Sequence, residues 1–444
     1  MRIDLPYLEQ LLPLEIPDAA LMAVVEPNEI ESAGSPAELL RRALASPLAV
    51  REAHEVRGAH EAVGASGKGG GSLADFLSGA RSVLLIVNDA TRPTPTPAML
   101  DILVPAFAES GIGLGGVTIL VATGAHRGPT EAEYRQLLGP HFDTLRSRCV
   151  AHEARREEDL VDLGRTRNGT PIVLNKRLFE SDRIVVTGSV EPHYFAGFTG
   201  GRKAFLPGVA AFRTIEANHK LALSPAARSL ALEGNPVHED MMDALPLLKA
   251  PVFALMTVLD KDQKVAAATA GDLMASFYAA VDSARRIFCV AVPARADVVV
   301  SVAKFPMDID LYQSQKAIDN GALALKDSGT LVLVSSCRDG IGDEAYADLL
   351  ASAPSPKEAI AKIAEGYRLG YHKAAKMAEV SARAAVAAKT ELSGARLRSM
   401  FIEPAESVQS AVDAGLAEAR ARGVKEPKVL VLADGCVTVP VIRG

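Results

Sequence analysis

Tryptophan is absent from this chain of 444 residues, and aromatic residues make up only 5% of it. Cysteine is also rare: Cys149, Cys289, Cys337 and Cys436 are widely spaced and form no CxxC pair. The sequence therefore indicates neither a zinc site nor a disulfide framework, which favours a reducing cytoplasm. No apolar run approaches the roughly 20 residues of a membrane helix, and the start, MRIDLPYLEQLL, does not resemble a secretory signal.

An excess of basic residues is also lacking. The chain has 48 lysines and arginines against 54 acidic residues, which gives a formal net charge of −6. Proteins that bind nucleic acid usually present a basic face, so this balance argues against such a partner. A small anionic ligand is still compatible with the composition, because it needs only a local cluster of cations.

The length and apolar content of the chain are sufficient for two folded domains. Apolar residues make up 48% of the sequence, and 444 residues predict two domains because one core rarely exceeds about 250–300 residues. Runs rich in Val, Ile and Leu predict buried strands at 82–87, 117–122, 183–187, 252–257, 297–302, 330–335 and 428–432. Helical patterns alternate with them at 97–110, 273–288, 311–325, 370–388 and 405–422. This alternation predicts an α/β fold with two mostly parallel sheets flanked by helices.

The predicted domain boundary lies near residue 270, with helix 273–288 as the connector. The N-terminal domain is then 1–270 and the C-terminal domain 271–436. Residues 437–444 are a candidate tail that returns to the first domain.

Polar, reactive side chains follow several of the predicted strands. Strand 82–87 leads to Asp89, Ala90, Thr91 and Arg92, and strand 117–122 leads to His126. Strand 183–187 leads to His193, while Gln313 and Lys316 come shortly after strand 297–302. Ligands of open α/β sheets bind outside the carboxyl ends of the strands, so these residues are candidates for one site.

The segment EPHYFAGFTGGRKAFLPG, residues 191–208, combines His193, two glycines and Lys203, and His219 follows it. Burial and the neighbouring Arg202 predict a lowered pKa for Lys203, and thus a nucleophilic amine. Gly200 and Gly201 are interpreted as space for a ring to approach the backbone. Each residue taken alone also has a simple structural explanation, such as a solvated lysine or a surface histidine.

Together these side chains predict acid–base chemistry. Histidines on separate loops, His126 and His193, are suited to opposite faces of one substrate carbon, as a racemase requires. Arg92 is a candidate clamp for a carboxylate, with Gln313 and Lys316 as further donors. His219 is a candidate ligand for nickel, copper or zinc.

The chain resembles the nickel-pincer lactate racemase family. The motifs that carry this resemblance are DATRP (89–93), TGAHR (123–127), EPHYFAGFTGGRK (191–203), Asn218-His219 and DIDLYQSQKAIDN (308–320). The resemblance implies two α/β domains with the active site in the cleft between them. It also implies a 2-hydroxy acid substrate and a pyridinium-3,5-bisthiocarboxylic acid mononucleotide that carries Ni(II). Proteins that synthesise this cofactor are implied partners.

The resemblance also implies roles for individual residues. Lys203 holds the cofactor through a thioamide, and His219 completes the coordination of nickel. His126 and His193 form the acid–base pair for hydride transfer coupled to proton transfer. Arg92, Gln313 and Lys316 hold the substrate, while Asp89, Ala90, Thr91 and Arg92 lie against the cofactor.

The identity of the 2-hydroxy acid stays open. Lactate-specific members of the family use a tryptophan near the substrate, and this chain has none. His372 and Lys373 are candidates for that position, where they would receive a second carboxylate or a polyol; an exposed helix N-terminus is the alternative. Two other functions fit the same residues, namely a lyase or aldolase that forms a Schiff base at Lys203 and a non-catalytic carrier of the nickel nucleotide.

Overall fold

The computed structural model describes residues 1–30, 33–49 and 71–443. Its strands are β1 (Arg2–Tyr7), β2 (Gln10–Glu15), β3 (Leu21–Val25), β4 (Val83–Asn88), β5 (Val117–Ala122), β6 (Cys149–Ala151), β7 (Leu160–Arg165), β8 (Pro171–Asn175), β9 (Arg183–Ser189), β10 (Pro192–His193), β11 (Gly197–Phe198), β12 (Val252–Leu259), β13 (Val265–Asp272), β14 (Cys289–Val292), β15 (Ala296–Val302), β16 (Leu325–Val334), β17 (Ala385–Lys389), β18 (Glu403–Pro404), β19 (Val429–Leu432) and β20 (Val439–Ile442).

The α-helices alternate with these strands, as the sequence predicts. They are α1 (Pro36–Ala45), α2 (Leu73–Leu77), α3 (Thr96–Glu109), α4 (Glu131–Leu138), α5 (Phe142–Leu145), α6 (Phe212–Lys220), α7 (Pro236–Ala244), α8 (Leu273–Phe288), α9 (Leu311–Leu323), α10 (Glu344–Ala351), α11 (Pro356–Glu365), α12 (Tyr371–Arg383), α13 (Gly394–Ser399) and α14 (Val408–Ala421). In the described part of the chain, no helix combines the length and apolar character needed to cross a membrane.

The chain divides into two compact units. The central unit is Glu29–Arg286, and the terminal unit combines Met1–Asn28 with Ile287–Gly444. This division differs from the predicted one, which placed 1–270 in one domain, 271–436 in the other, and the tail 437–444 with the first. Strand β3 pairs with β19 and strand β20 pairs with β14, so both chain ends belong to the terminal unit. The pairing of these short strands with distant partners has no signal in the local sequence.

The central unit is built on a six-stranded sheet with the order β13-β12-β9-β4-β5-β6. All pairs are parallel except the edge pair β12-β13. Strand β4 is buried from Val83 to Val87 because helices and loops cover both faces, which explains its unbroken apolar sequence. The predicted, mostly parallel sheet is thereby confirmed.

The terminal unit contains the second six-stranded sheet, with the order β18-β17-β16-β15-β19-β3 and only parallel pairs. Its core joins valines of β15, β16 and β19 to apolar residues of β1, β2 and α14. One helix prediction was too long: α12 ends at Arg383, and Ala385–Lys389 forms β17. Alanine favours helices, but here tertiary pairing with β16 overrides that preference.

Three neighbouring strands position the candidate site. In the central sheet β4 lies between β9 and β5, and the three are parallel. Their carboxyl ends therefore open at one edge of the sheet, where the loops after Asn88, Ala122 and Ser189 begin.

Candidate active site

The loop after β4 is a tight turn that presents a carboxylate. The Arg92 N–H donates to the carbonyl of Asp89 at 3.2 Å, and Ala90 and Thr91 form the turn between them. Asp89 is buried, and its Oδ1 accepts from the Thr91 hydroxyl at 2.6 Å and from the Thr91 N–H at 3.2 Å. The Arg92 side chain is exposed. The turn thus holds a carboxylate inside and leaves a guanidinium outside.

His126, on the loop after β5, is oriented by this carboxylate. Its Nδ1 lies 2.9 Å from Asp89 Oδ2. Burial alone would raise the pKa of Asp89, but the hydrogen bonds from His126 and Thr91 outweigh it and lower the pKa below its usual value. An ionised carboxylate only accepts, so His126 donates from Nδ1 and its Nε2 carries the lone pair. The imidazole is 55% exposed, as a base that meets a substrate must be.

His193, on the segment after β9, has the opposite arrangement. Strands β10 and β11 form a short hairpin in which His193 pairs with Gly197. The Ala196 N–H donates to His193 Nδ1 at 3.3 Å. A neutral imidazole that accepts at Nδ1 carries its hydrogen on Nε2. The two candidate histidines therefore differ at Nε2, where His126 is a base and His193 is a donor.

The ring of Phe195 joins three of the predicted site residues. Its centroid lies 4.6 Å from that of the His193 ring, in an edge-on arrangement, and 5.1 Å from that of the His219 ring. The Lys203 Nζ lies 5.6 Å from the same centroid. His219 is near the end of α6, so a helix, a hairpin and a turn bring these groups to one aromatic side chain.

Lys203 lies on the 3₁₀ turn Gly201–Ala204 and is half-buried. Removal from water, followed by repulsion from the Arg92 and Arg202 guanidinium groups, holds its pKa well below the usual value; Glu191 acts weakly in the opposite direction. The amine is consequently available in its neutral, nucleophilic form nearer to neutral pH than an ordinary lysine.

The two glycines before Lys203 have a different purpose from the predicted one. Gly200 and Gly201 have φ angles of +77° and +54°, a region that L side chains rarely adopt. A Cβ on Gly200 would lie 2.5 Å from Val190 Cγ2, and one on Gly201 would lie 3.0 Å from Phe277. The space beside them is filled by protein, so the glycines serve a tight turn against the core rather than leaving room for a ligand ring.

Gln313 and Lys316 lie in the terminal unit, three residues apart on α9 and both half-buried. Asp310 is the N-cap of this helix and its Oδ1 accepts from the Gln313 N–H at 2.6 Å. The Lys316 Nζ lies 3.4 Å from Met307 Sδ. The spacing places both side chains on one helical face.

His372 and Lys373 open α12 but are both buried, so the exposed helix start that the sequence allowed is wrong. The hydroxyl of Tyr367 lies 2.9 Å from His372 Nδ1, and Lys373 donates to the carbonyl of Tyr312. Desolvation lowers the pKa of Lys373 to about 8.

Sequence reasoning missed two parts of this site. The sequence gives no signal for Phe195, because an aromatic residue in an apolar segment is typical of packing. Asp89 is predicted to lie against the cofactor, and its hydrogen bond to His126, 37 residues away, was not predicted. A strand-end carboxylate followed by a strand-end histidine on the next strand was the available signal.

The residues described fit a metal that arrives with donors of its own. Within the described ranges, no three His, Cys, Asp or Glu side chains are grouped so as to hold a metal ion. His219 therefore offers a single imidazole, which suits a pincer complex that already supplies three donors. The Lys203 amine, whose pKa is held well below its usual value, suits covalent attachment of that complex.

The chain matches two family models, lactate racemase N-terminal domain over residues 67–229 and lactate racemase C-terminal domain over residues 292–441. The lactate racemase of Lactiplantibacillus plantarum is 33% identical over 294 residues, which cover 65% of this chain and 68% of that protein. The lactate racemase of Thermoanaerobacterium thermosaccharolyticum is 29% identical over 365 residues, which cover 81% of this chain and 80% of that protein.

Solved structures agree with these matches. The structure of the lactate racemase apoprotein from Thermoanaerobacterium thermosaccharolyticum has a TM-score of 0.85 at 27% identity and covers 100% of both chains. A protein from Thermotoga maritima has a TM-score of 0.61 at 17% identity, covers 84% of this chain and 96% of that one, and shares the fold.

Proposed function

The chain belongs to the lactate racemase family, and from this premise we propose that it inverts C2 of a 2-hydroxy acid with a nickel-pincer nucleotide held at Lys203. The observation that carries the proposal is the set of groups at one sheet edge. The loops after β4 and β5 present an oriented base, and the segment after β9 presents an imidazole donor and an amine whose pKa is lowered. A racemase needs the first two, and covalent cofactor attachment needs the third.

The base in the proposed reaction is His126. Its Nε2 takes the proton of the substrate hydroxyl, and Asp89 stabilises the imidazolium that forms. When bound, the cofactor supplies an acceptor to which the C2 hydrogen leaves with its electron pair and from which it returns. Transfer with the electron pair avoids an unstabilised carbanion at C2. The bound 2-oxo acid that results turns its other face. His193, protonated to the imidazolium by solvent, donates from Nε2 to the oxygen and is left as a neutral imidazole.

The substrate carboxylate is assigned to Arg92, because its planar guanidinium makes two parallel hydrogen bonds to a carboxylate. Gln313 and Lys316 are proposed as further donors to the substrate. His219 is proposed as the protein ligand of nickel. Positioned acid–base catalysis by the two histidines is expected to contribute about 10²–10⁴-fold to the rate.

A racemisation panel tests the reaction. Cofactor-loaded protein is incubated with single enantiomers of lactate, malate, 2-hydroxyglutarate, phenyllactate and gluconate, and chiral chromatography measures inversion. Running the active substrate in D₂O distinguishes two chemistries. We expect C2 to keep its protium, because hydride does not exchange with water; incorporation of solvent deuterium at C2 would instead show proton abstraction and refute the proposed mechanism.

Mass spectrometry tests the attachment site. Wild-type protein exposed to cofactor is expected to carry the adduct on the peptide that contains Lys203. Lys203→Ala is expected to abolish loading, whereas Lys220→Ala, an exposed lysine of α6, is the matched control and retains it. An adduct on any other residue, or loading of Lys203→Ala, would contradict the assignment.

A further inference from the structure

Arg202 is a fully buried cation beside the proposed attachment site. Its exposure is 0%, and it forms no ion pair within the described ranges. Its Nη2 donates to the carbonyl of Ala196 at 2.8 Å, and its Nη1 donates to that of Phe198 at 2.9 Å. Longer bonds from Nη1 reach the carbonyls of Thr199 and Gly200 at 3.4 and 3.3 Å. One guanidinium thus binds four backbone carbonyls between Ala196 and Gly200, in the segment that leads to Lys203.

The face of this guanidinium is also fixed. Its central carbon lies 4.3 Å from the centroid of the Phe277 ring, which belongs to α8 and is fully buried. A cation over an aromatic face is attracted by the ring quadrupole. A Cβ added to Gly201 would lie 3.0 Å from the Phe277 side chain, so the turn that begins at Gly201 lies close to the same residue as the guanidinium.

Helix α7 contacts both the Arg202 guanidinium and the backbone of Phe195. The Arg202 Nε donates to His238 Nδ1 at 3.0 Å. Burial, then repulsion from Arg202, lowers the pKa of His238 to about 2, so this imidazole is a neutral acceptor. Asn235, the N-cap of α7, donates to the carbonyl of Phe195 at 2.8 Å. The first turn of α7 therefore binds both the guanidinium and the backbone of Phe195, here called the platform residue because its ring lies beside His193, His219 and Lys203.

We propose that Arg202 and His238 form a positioning pair, which fixes the segment from His193 to Lys203 so that the lysine amine faces the Phe195 ring. Neither residue needs to touch the substrate for this role. The pair acts through Lys203, so the inference deepens the proposed function and rests on it for its biological meaning. A neutral donor could hold carbonyls too, but only a cation also repels a proton from the neighbouring amine.

The reactivity of Lys203 in the apoprotein reports this positioning without any cofactor. Short pulses of acetic anhydride across pH 6–11 acetylate free amines, and peptide mass spectrometry measures the fraction at Lys203, with Lys220 as internal reference. The charged groups that act on the Lys203 amine are Arg92, Arg202 and Glu191. The pH midpoint of labelling separates protonation from access, because a change in access alone alters the rate and leaves the midpoint in place.

The variants are His238→Asn, His238→Gln and His238→Leu. Asn places an acceptor oxygen near the position of Nδ1, so we expect its midpoint to match wild type within 0.3 pH unit, roughly a twofold change in free amine. Leu removes the acceptor, and the loosened segment is expected to raise the midpoint by about one unit, a tenfold loss of free amine. Gln keeps a polar side chain but shifts the acceptor by one bond, so an intermediate midpoint is expected.

Thermal melting of the variants and cofactor uptake by the wild-type protein are measured alongside the labelling. Thermal melting followed by circular dichroism identifies variants that do not fold; if Leu fails, the comparison of Asn with Gln decides. Equal midpoints in wild type and in every folded variant would overturn the positioning role. If the midpoints shift as expected but wild-type Lys203 takes up no cofactor, the positioning pair stands and the proposed function fails.

Discussion

Asp89→Asn is the substitution that tests the orientation of the proposed base most directly. The change is nearly isosteric, and the amide oxygen still accepts from the Thr91 hydroxyl. The amide nitrogen then faces His126 Nδ1 and donates to it. This reverses the tautomer, places the hydrogen on Nε2 and leaves His126 without a lone pair toward the substrate.

The magnitude follows from the bond that is lost. A hydrogen bond to a charged group contributes about 1.5–3 kcal/mol, and about 1.4 kcal/mol corresponds to tenfold in rate. Because the His126 imidazole is 55% exposed, water competes for its nitrogen atoms. We therefore expect the lower part of that range, a fall in kcat of about 10- to 30-fold.

The assay is steady-state racemisation of one enantiomer by cofactor-loaded protein, followed by chiral chromatography. Asp101→Asn is the matched control, because Asp101 Oδ1 lies 2.7 Å from His141 Nε2 in a second Asp–His pair outside the candidate site. The control is expected to leave kcat unchanged. If Asp89→Asn retains kcat within twofold of wild type while the adduct at Lys203 is complete, the orientation argument is refuted.

Three further outcomes are expected. Lys203→Met should stabilise the apoprotein at pH 7 by about 0.5–2 kcal/mol, measured by urea titration. Folding lowers the pKa of Lys203 from its usual 10.5, which costs free energy below that pH. The stability gained by the substitution should therefore shrink as the pH rises toward 10.5. Gly200→Ala should destabilise by about 2–4 kcal/mol, from its positive φ and the clash with Val190, measured by the same titrations. Phe195→Leu should cost less than about 1.5 kcal/mol of stability. It should nevertheless reduce the adduct at Lys203, measured by mass spectrometry, at least tenfold. An adduct fraction equal to that of wild type would contradict a role of the Phe195 ring in placing the lysine.

The strands were predictable because burial on both faces leaves few residue choices. Predicted strands 117–122 and 183–187 match β5 (Val117–Ala122) and the first residues of β9 (Arg183–Ser189). Alanine-rich segments such as β17 were not predictable, since alanine occurs in helices and in strands, and pairing with a neighbour decides between them. The domain division failed for a related reason, because short terminal strands show their partners only in three dimensions.

In the candidate site, too, some features could be predicted from the sequence and others could not. Residue type and position after a strand made His126, His193 and Lys203 candidates, because the carboxyl ends of neighbouring parallel strands converge. The hydrogen-bond partners of those residues could not be predicted. Asp89 and His126, for example, come within hydrogen-bond distance only because β4 pairs with β5. The electrostatic role of Arg202 was predictable from adjacency alone, whereas its bond to His238 depends on the packing of α7.

In the proposed mechanism, His126 and His193 exchange the roles of base and acid in each catalytic cycle. A substrate whose hydroxyl faces His126 leaves its proton on Nε2 of that ring, whereas the product of the other face receives its proton from His193. One turnover therefore reverses the protonation of the pair and prepares the enzyme for the opposite enantiomer. Because His126 is 55% exposed and bound to an ionised carboxylate, its imidazolium is open to water. The half-buried His193 hydrogen-bonds through Nδ1 to the Ala196 N–H. In the proposed mechanism, proton exchange with solvent at both imidazoles therefore restores the starting state, and the exposed ring of His126 is open to that exchange.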